Sequence, residues 1–270
     1  MKKLLVLSLV GLTVLTTAFA ARMKVTIEGS TTVLPIAQAS AESFMNYNKG
    51  VDISVRGGGS GVGIASLLEG TCDIADASRA IKSKEIKRAK EKGINPVAHV
   101  VAMDGIAVII HPKNKKINAL TREQIQDIYT GKISNWSEVG GKKKKIVVVS
   151  RDSASGTFEA FNKLALKKEK VRPDALLNAS NRAVITTVSK TKGAIGYVGL
   201  GYVNSSVKPV TVNGIECTKS TVLSGAYPLS RPLYMYTNGE PKGVTKKFID
   251  FVLGSQGQKL AEEAGFVSLK

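Results

Sequence analysis

Histidine and cysteine are both scarce in this 270-residue chain, with two of each. His99 and His111 stand alone, and no Cys-x-x-Cys or His-Glu-x-x-His spacing occurs, so neither a metal centre nor any other cofactor is expected. Cys72 and Cys217 could form one disulfide in an oxidising compartment, provided that the fold brings their Cβ atoms together. Acidic residues are also short: 21 Asp and Glu face 39 Lys and Arg, for a formal charge of +18. Beyond residue 20 no apolar run reaches the roughly 18 residues of a membrane span. A hydrophobic content of 43% nevertheless excludes disorder, because it suffices to bury one large core or two smaller ones. At this length two lobes are as natural as one.

The apolar run at residues 4–20 follows Lys2 and Lys3 and ends in Ala18-Phe19-Ala20. A basic start, an apolar centre and small residues before the cut describe a secretory signal peptide over residues 1–20. The region has no cysteine to carry a lipid, so a soluble protein retained in a periplasm is expected. Its removal takes Lys2 and Lys3 and leaves a charge of about +16.

Three strand-turn-helix units follow. Val25 and Ile27 alternate with polar residues, Gly29-Ser30-Thr31-Thr32 turns, and an apolar stripe from Val33 to Met45 has helical spacing. Val51, Ile53 and Val55 repeat the period of two before Gly57-Gly58-Gly59-Ser60-Gly61 and a helix over residues 62–69. A short strand at residues 72–77 ends in Ser78-Arg79 ahead of a charged helix over 83–92. Such repetition predicts an α/β fold with mainly parallel sheets. Residues 97–111 read as a long strand broken at Asp104-Gly105, where the chain crosses to a second lobe.

The second lobe has the same grammar. Thr121 caps a helix over 122–129 with Gln124 completing a capping box, and a strand at 146–149 leads through Ser150 to Thr157 into a helix carrying Phe158, Phe161 and Leu164. A helix over 182–190, a strand over 194–198, a second crossing strand over 231–236 and two closing helices over 244–264 complete the chain. The expected division is residues 21–103 and 206–270 in the first lobe and 104–205 in the second.

Four turns rich in Ser, Thr and Gly precede helices, at Ser30 to Thr32, Ser60-Gly61, Ser78 and Ser155 to Thr157. In an open parallel sheet these turns gather at the carboxyl edge of the strands, where ligands bind. Helix N-termini bring unpaired N–H groups and partial positive charge to such an edge, which suits an anion. Arg151 would add a guanidinium fork matched to a tetrahedral oxyanion. Each turn taken singly is an ordinary helix cap; it is the set of four together with Arg151 that suggests a site.

Glu28-Gly29-Ser30-Thr31-Thr32, Gly58-Gly59-Ser60-Gly61, the run from Asp73 to Arg79 and Arg151-Asp152-Ser153-Ala154-Ser155-Gly156-Thr157 appear in an order that resembles the substrate-binding proteins of phosphate ABC transporters. The runs from Tyr129 to Trp136 and from Tyr227 to Tyr234 look like family landmarks outside the pocket. The resemblance spans the chain beyond the signal region. It implies a two-lobed class II periplasmic-binding-protein fold, a monomer, that closes on inorganic phosphate and delivers it to an inner-membrane ABC permease. It further implies Thr31, Thr32, Ser60, Gly61, Ser78, Arg79, Arg151, Ser155, Gly156 and Thr157 as phosphate ligands, with an ion pair at the rim as the alternative role for Arg79. Many members of the family place an aspartate at the position of Ser78, where it accepts the proton of hydrogen phosphate. Here Asp76, on the same side of an extended strand, is the alternative acceptor, a structural role in closing the strand being its other reading. Sulfate, molybdate or tungstate is the alternative cargo.

Two other classes of function fit poorly. Neither Ser60 nor Ser155 lies in Gly-x-Ser-x-Gly and no phosphate loop is present, so the chain does not read as an enzyme. The lysine run at 142–145 lacks the interleaved aromatics of a nucleic-acid module and reads as a solvated turn, so no nucleic-acid partner is expected.

Overall fold

The computed structural model describes residues 23–269; the expected signal peptide lies outside them. In the first half of the chain β1 (Met23–Gly29), α1 (Leu34–Tyr47), β2 (Val51–Gly57), α2 (Ser60–Leu68), β3 (Ile74–Ala77) and α3 (Ser83–Glu91) realise the three predicted units. β1 pairs in parallel with both β2 and β3. Val25, Ile27 and Ile53 pack on one face against α1, while Ala75 and Ala77 meet Ile64, Leu67 and Leu68 of α2 on the other.

The long strand β4 (Pro96–Ile110) is continuous through Asp104-Gly105 and so departs from the expected break. What changes there is its partner. Residues 96–105 pair with β11 (Ser230–Asn238), whereas 106–110 pair with β8 (Ala194–Gly199). Gly105 permits the crossing: a Cβ at this position would lie 2.5 Å from Cys217 Sγ and 2.7 Å from Val222.

The second lobe contains β5 (Ala119–Leu120), α4 (Arg122–Thr130), β6 (Val147–Arg151), α5 (Gly156–Leu164), β7 (Leu176–Asn178) and α6 (Asn181–Lys190), followed by β8. β6 runs parallel to β7 and β8. The Thr121–Gln124 capping box forms at the start of α4, and Phe161 stacks on Tyr197 of β8 and meets Tyr129 edge-on.

The segment after β8 corrects the expected division at residue 206. β9 (Lys208–Pro209), β10 (Thr211–Val212) and α7 (Lys219–Leu223) stay with the second lobe, where Val210, Val212, Val222, Tyr227 and Leu229 join its core. The chain returns only along β11, and α8 (Gly243–Leu253) and α9 (Ser255–Glu263) close the first lobe through Phe248, Ile249, Val252 and Ala261. Two-residue strands carry no periodicity, so the sequence offered no signal for this stretch. The main sheet has the order β2-β1-β3-β11-β4-β8-β6-β7, with β9 beside β4.

Cys72 packs among Ile64 and Leu67 in the first lobe and Cys217 against the core of the second; both are free thiols. No helix among the described residues is long and apolar enough to cross a membrane.

Candidate functional site

The four hydroxyl-rich turns meet where the lobes face each other. The first is built on Gly29, whose φ of +141° and 2.2 Å separation between an added Cβ and Asp76 O admit no side chain. The Ser30 amide then bonds the Asp76 carbonyl at 2.8 Å, and Ser30 Oγ accepts from the amides of Thr32 and Val33, which opens the path into α1. Thr31 and Thr32 emerge from this turn buried, and Thr32 Oγ1 lies 2.8 Å from Thr157 Oγ1 of the other lobe.

A second contact zone adjoins it. Ser60 Oγ accepts from the Ser78 amide at 3.0 Å and lies 3.3 Å from Ser78 Oγ. A Cβ on Gly156 would stand 2.2 Å from Ser60 Oγ and 2.8 Å from Ser78 Oγ, so only glycine allows the start of α5 to come this close. Ser155 caps that helix by accepting the Phe158 amide at 3.1 Å. Gly156 and Thr157 are consecutive, so one helix N-terminus touches both zones.

Arg151, at the end of β6, is 2% exposed and is steered into place by carbonyls. Its Nε donates to Asn178 O and its Nη2 to Ala179 O, both at 2.9 Å, and Nη2 also reaches Thr31 Oγ1 at 3.3 Å. Its Nη1 is buried without a hydrogen-bond partner, and the side chain forms no ion pair among the described residues. Such a group is costly unless an anion completes it. Asp76 is the complementary case. Both carboxylate oxygens are buried without a partner, and burial holds the group well above the usual carboxylate range.

Two of the expected ligands are engaged elsewhere. The Gly61 amide donates across the interface to Ala154 O at 2.9 Å. The Arg79 guanidinium forks onto Glu85 at 2.7 and 2.8 Å and faces Glu159 of α5 at 3.0 Å. Lys82 also pairs with Glu159, at 2.6 Å. The Glu85 fork stays within the first lobe, while the bonds to Ala154 and Glu159 join the two lobes.

Two central residues escaped the sequence reading. Asn181 donates from Nδ2 to Thr31 Oγ1 and Thr32 Oγ1 at 3.2 and 3.1 Å. Arg231 holds Asp104 at 2.8 Å, the Ser78 carbonyl at 3.0 Å and Thr157 Oγ1 at 3.0 Å. The run from Tyr227 to Tyr234 therefore does not lie wholly outside the pocket, as expected, because Arg231 enters it from the crossing strand. Asn181 sits at a helix start like any cap residue, and the signal for Arg231 was an arginine on a strand otherwise filled with apolar and aromatic residues.

Comparison with known proteins agrees with this architecture. The family model described as PBP superfamily domain matches residues 16–256. The phosphate-binding protein PstS of Staphylococcus epidermidis is 35% identical over 254 residues, covering 89% of this chain and 77% of the relative. A putative phosphate ABC transporter substrate-binding protein from Clostridium perfringens, solved with bound phosphate, superposes with a TM-score of 0.84 at 38% identity, covering 92% of this chain and all of that one. An ABC-type phosphate transport receptor from Vibrio cholerae gives a TM-score of 0.75 at 33% identity, over 90% of this chain and 99% of its own. With a two-lobed α/β fold, an enclosed polar centre and these relatives together, the chain belongs to the PBP superfamily and, within it, to the family of the PstS phosphate-binding proteins.

Proposed function

We propose that this protein captures inorganic phosphate between its two lobes outside the cytoplasm and hands it to the permease of an ABC transporter. No bond is made or broken; the work is binding and release through lobe movement. The observation that carries the reading is the buried, unpartnered Nη1 of Arg151 beside hydroxyls from both lobes. A dianion placed there would accept from Arg151, from the hydroxyls of Thr31, Thr32, Ser60, Ser78, Ser155 and Thr157, and from the amides that open α5 at Gly156 and Thr157. Arg79 and Gly61 act one step away in this reading, tying the lobes together over the guest. Asp76 is the acceptor for the proton of hydrogen phosphate, which sulfate lacks.

Calorimetric titration of phosphate tests this directly. Arg151→Ala should weaken binding by about 2–5 kcal/mol, because it removes a desolvated charge from the anion; unchanged affinity would exclude Arg151 from the site. Competition with sulfate, molybdate and tungstate in the same cell identifies the preferred anion.

A further inference from the structure

The lysine run at 142–145 has no part in the cleft; its four side chains are exposed, as expected of a solvated turn, but the backbone that carries them is held in place. A 3₁₀ turn, Trp136–Val139, begins with a capping box on Asn135, whose Oδ1 also accepts the Lys144 amide at 2.9 Å. The Trp136 amide bonds Lys144 O at 2.9 Å, and the Gly141 amide returns to Trp136 O at 2.7 Å. Across from it the turn at Gly193, with a φ of +91°, accepts the Trp136 indole N–H at 2.8 Å. Between the two turns lies a cavity of about 130 Å³, lined by Lys113, Lys142, Lys144, Lys192, His111 and Asn114 around Trp136.

The chemistry of this lining has one sign. None of the four lysines forms an ion pair among the described residues. His111 Nδ1 accepts the Lys113 amide at 3.0 Å, so the neutral ring carries its proton on Nε2 and is a further donor. Burial, and after it the ammonium groups of Lys113, Lys144 and Lys192, hold this imidazole below its ordinary pKa. Asn114 Nδ2 is buried with no hydrogen-bond partner. Four ammonium groups and these N–H donors face the cavity, and no carboxylate is among the lining residues.

Position separates this cavity from the cleft. His111 follows the end of β4, and the rise from Asp104 at the crossing is roughly 20 Å at about 3.3 Å per residue. β6 and β8 begin at this edge of the second lobe, and β6 ends at Arg151 on the other.

We infer that the cavity between the Trp136 and Gly193 turns is a second anion site, which takes a phosphate group from solution or from an anionic lipid headgroup.

Trp136 is the chain's one tryptophan and lines the cavity, so its emission reports occupancy. Pyrophosphate titrated at constant ionic strength into protein already saturated with phosphate should change that emission with a saturable curve. A Lys142→Gln/Lys144→Gln/Lys192→Gln variant should raise the half-saturation concentration at least about tenfold, while calorimetry finds its cleft affinity for phosphate unchanged. Vesicles of phosphatidylglycerol, followed by emission and co-sedimentation, form the second arm. A response to pyrophosphate alone assigns the site to a soluble anion, and a response to vesicles alone, lost in the variant, assigns it to a lipid headgroup. Equal behaviour of wild type and variant with both probes, or an emission change reproduced by chloride at the same ionic strength, overturns the inference.

Discussion

Two arginines share the centre of the molecule but carry different burdens. Arg231 is matched by Asp104, with side chains 4% and 0% exposed, while Arg151 has carbonyls and a hydroxyl but no carboxylate. Arg231→Ala would strand a buried carboxylate, and urea unfolding should show a loss of about 3–5 kcal/mol; a loss below 1 kcal/mol would mean that Asp104 finds other donors. Asp76 makes an opposite prediction. Burial raises its pKa in the folded chain, so that chain keeps a proton which the unfolded chain loses near the ordinary value of about 3.9. Above that value, and up to the raised one, the unfolded state binds fewer protons, so stability of the empty protein falls as pH rises. Asp76→Asn should flatten this fall in unfolding curves taken between pH 4 and 7. Its phosphate-to-sulfate preference should also narrow in competition calorimetry, and a variant as selective as wild type would remove Asp76 from proton recognition.

At the scale of elements, α5 is the piece on which the two lobes converge. It presents Gly156 to Ser60 and Ser78, Thr157 to Thr32 and Arg231, and Glu159 to Arg79 and Lys82. Gly156→Ala adds a methyl where 2.2 Å separates Cβ from Ser60 Oγ. It should abolish tight phosphate binding in a calorimetric titration yet leave the melting temperature of the empty protein within a few degrees, since alanine is a good helix former. Retained affinity would show that Ser60 can swing aside. This level of organisation was also the most legible in the sequence. Alternating strands, glycine turns and apolar helical stripes are local patterns, and β1, α1, β2, β3, α3, α5 and α6 lie where they indicate. Hydroxyls of the four turns could be named for the same reason, since position at a helix start is local. Partnerships over long separations were not legible. The engagement of Arg79 by Glu159, the reach of Arg231 to Thr157 and the stay of residues 207–229 in the second lobe depend on which surfaces meet, and no periodicity encodes that.

For the whole molecule, the surplus of 39 basic over 21 acidic residues is a field. It should draw a small dianion toward the protein faster than diffusion of a neutral solute, and added salt should screen it. Stopped-flow association of phosphate should therefore slow as ionic strength rises from about 10 to 150 mM, with dissociation little altered; a flat association rate would show that the excess charge faces away from the entrance. The crossing itself has a mechanical corollary. The halves are joined through β4 and β11, an antiparallel pair laced by its own ladder of hydrogen bonds. Such a ribbon resists shear and yields to flexing across its width, much as a spine constrains the covers of a book. Motion between the halves is thereby confined to one swing, and the arginine on that spine, Arg231, feels every degree of it.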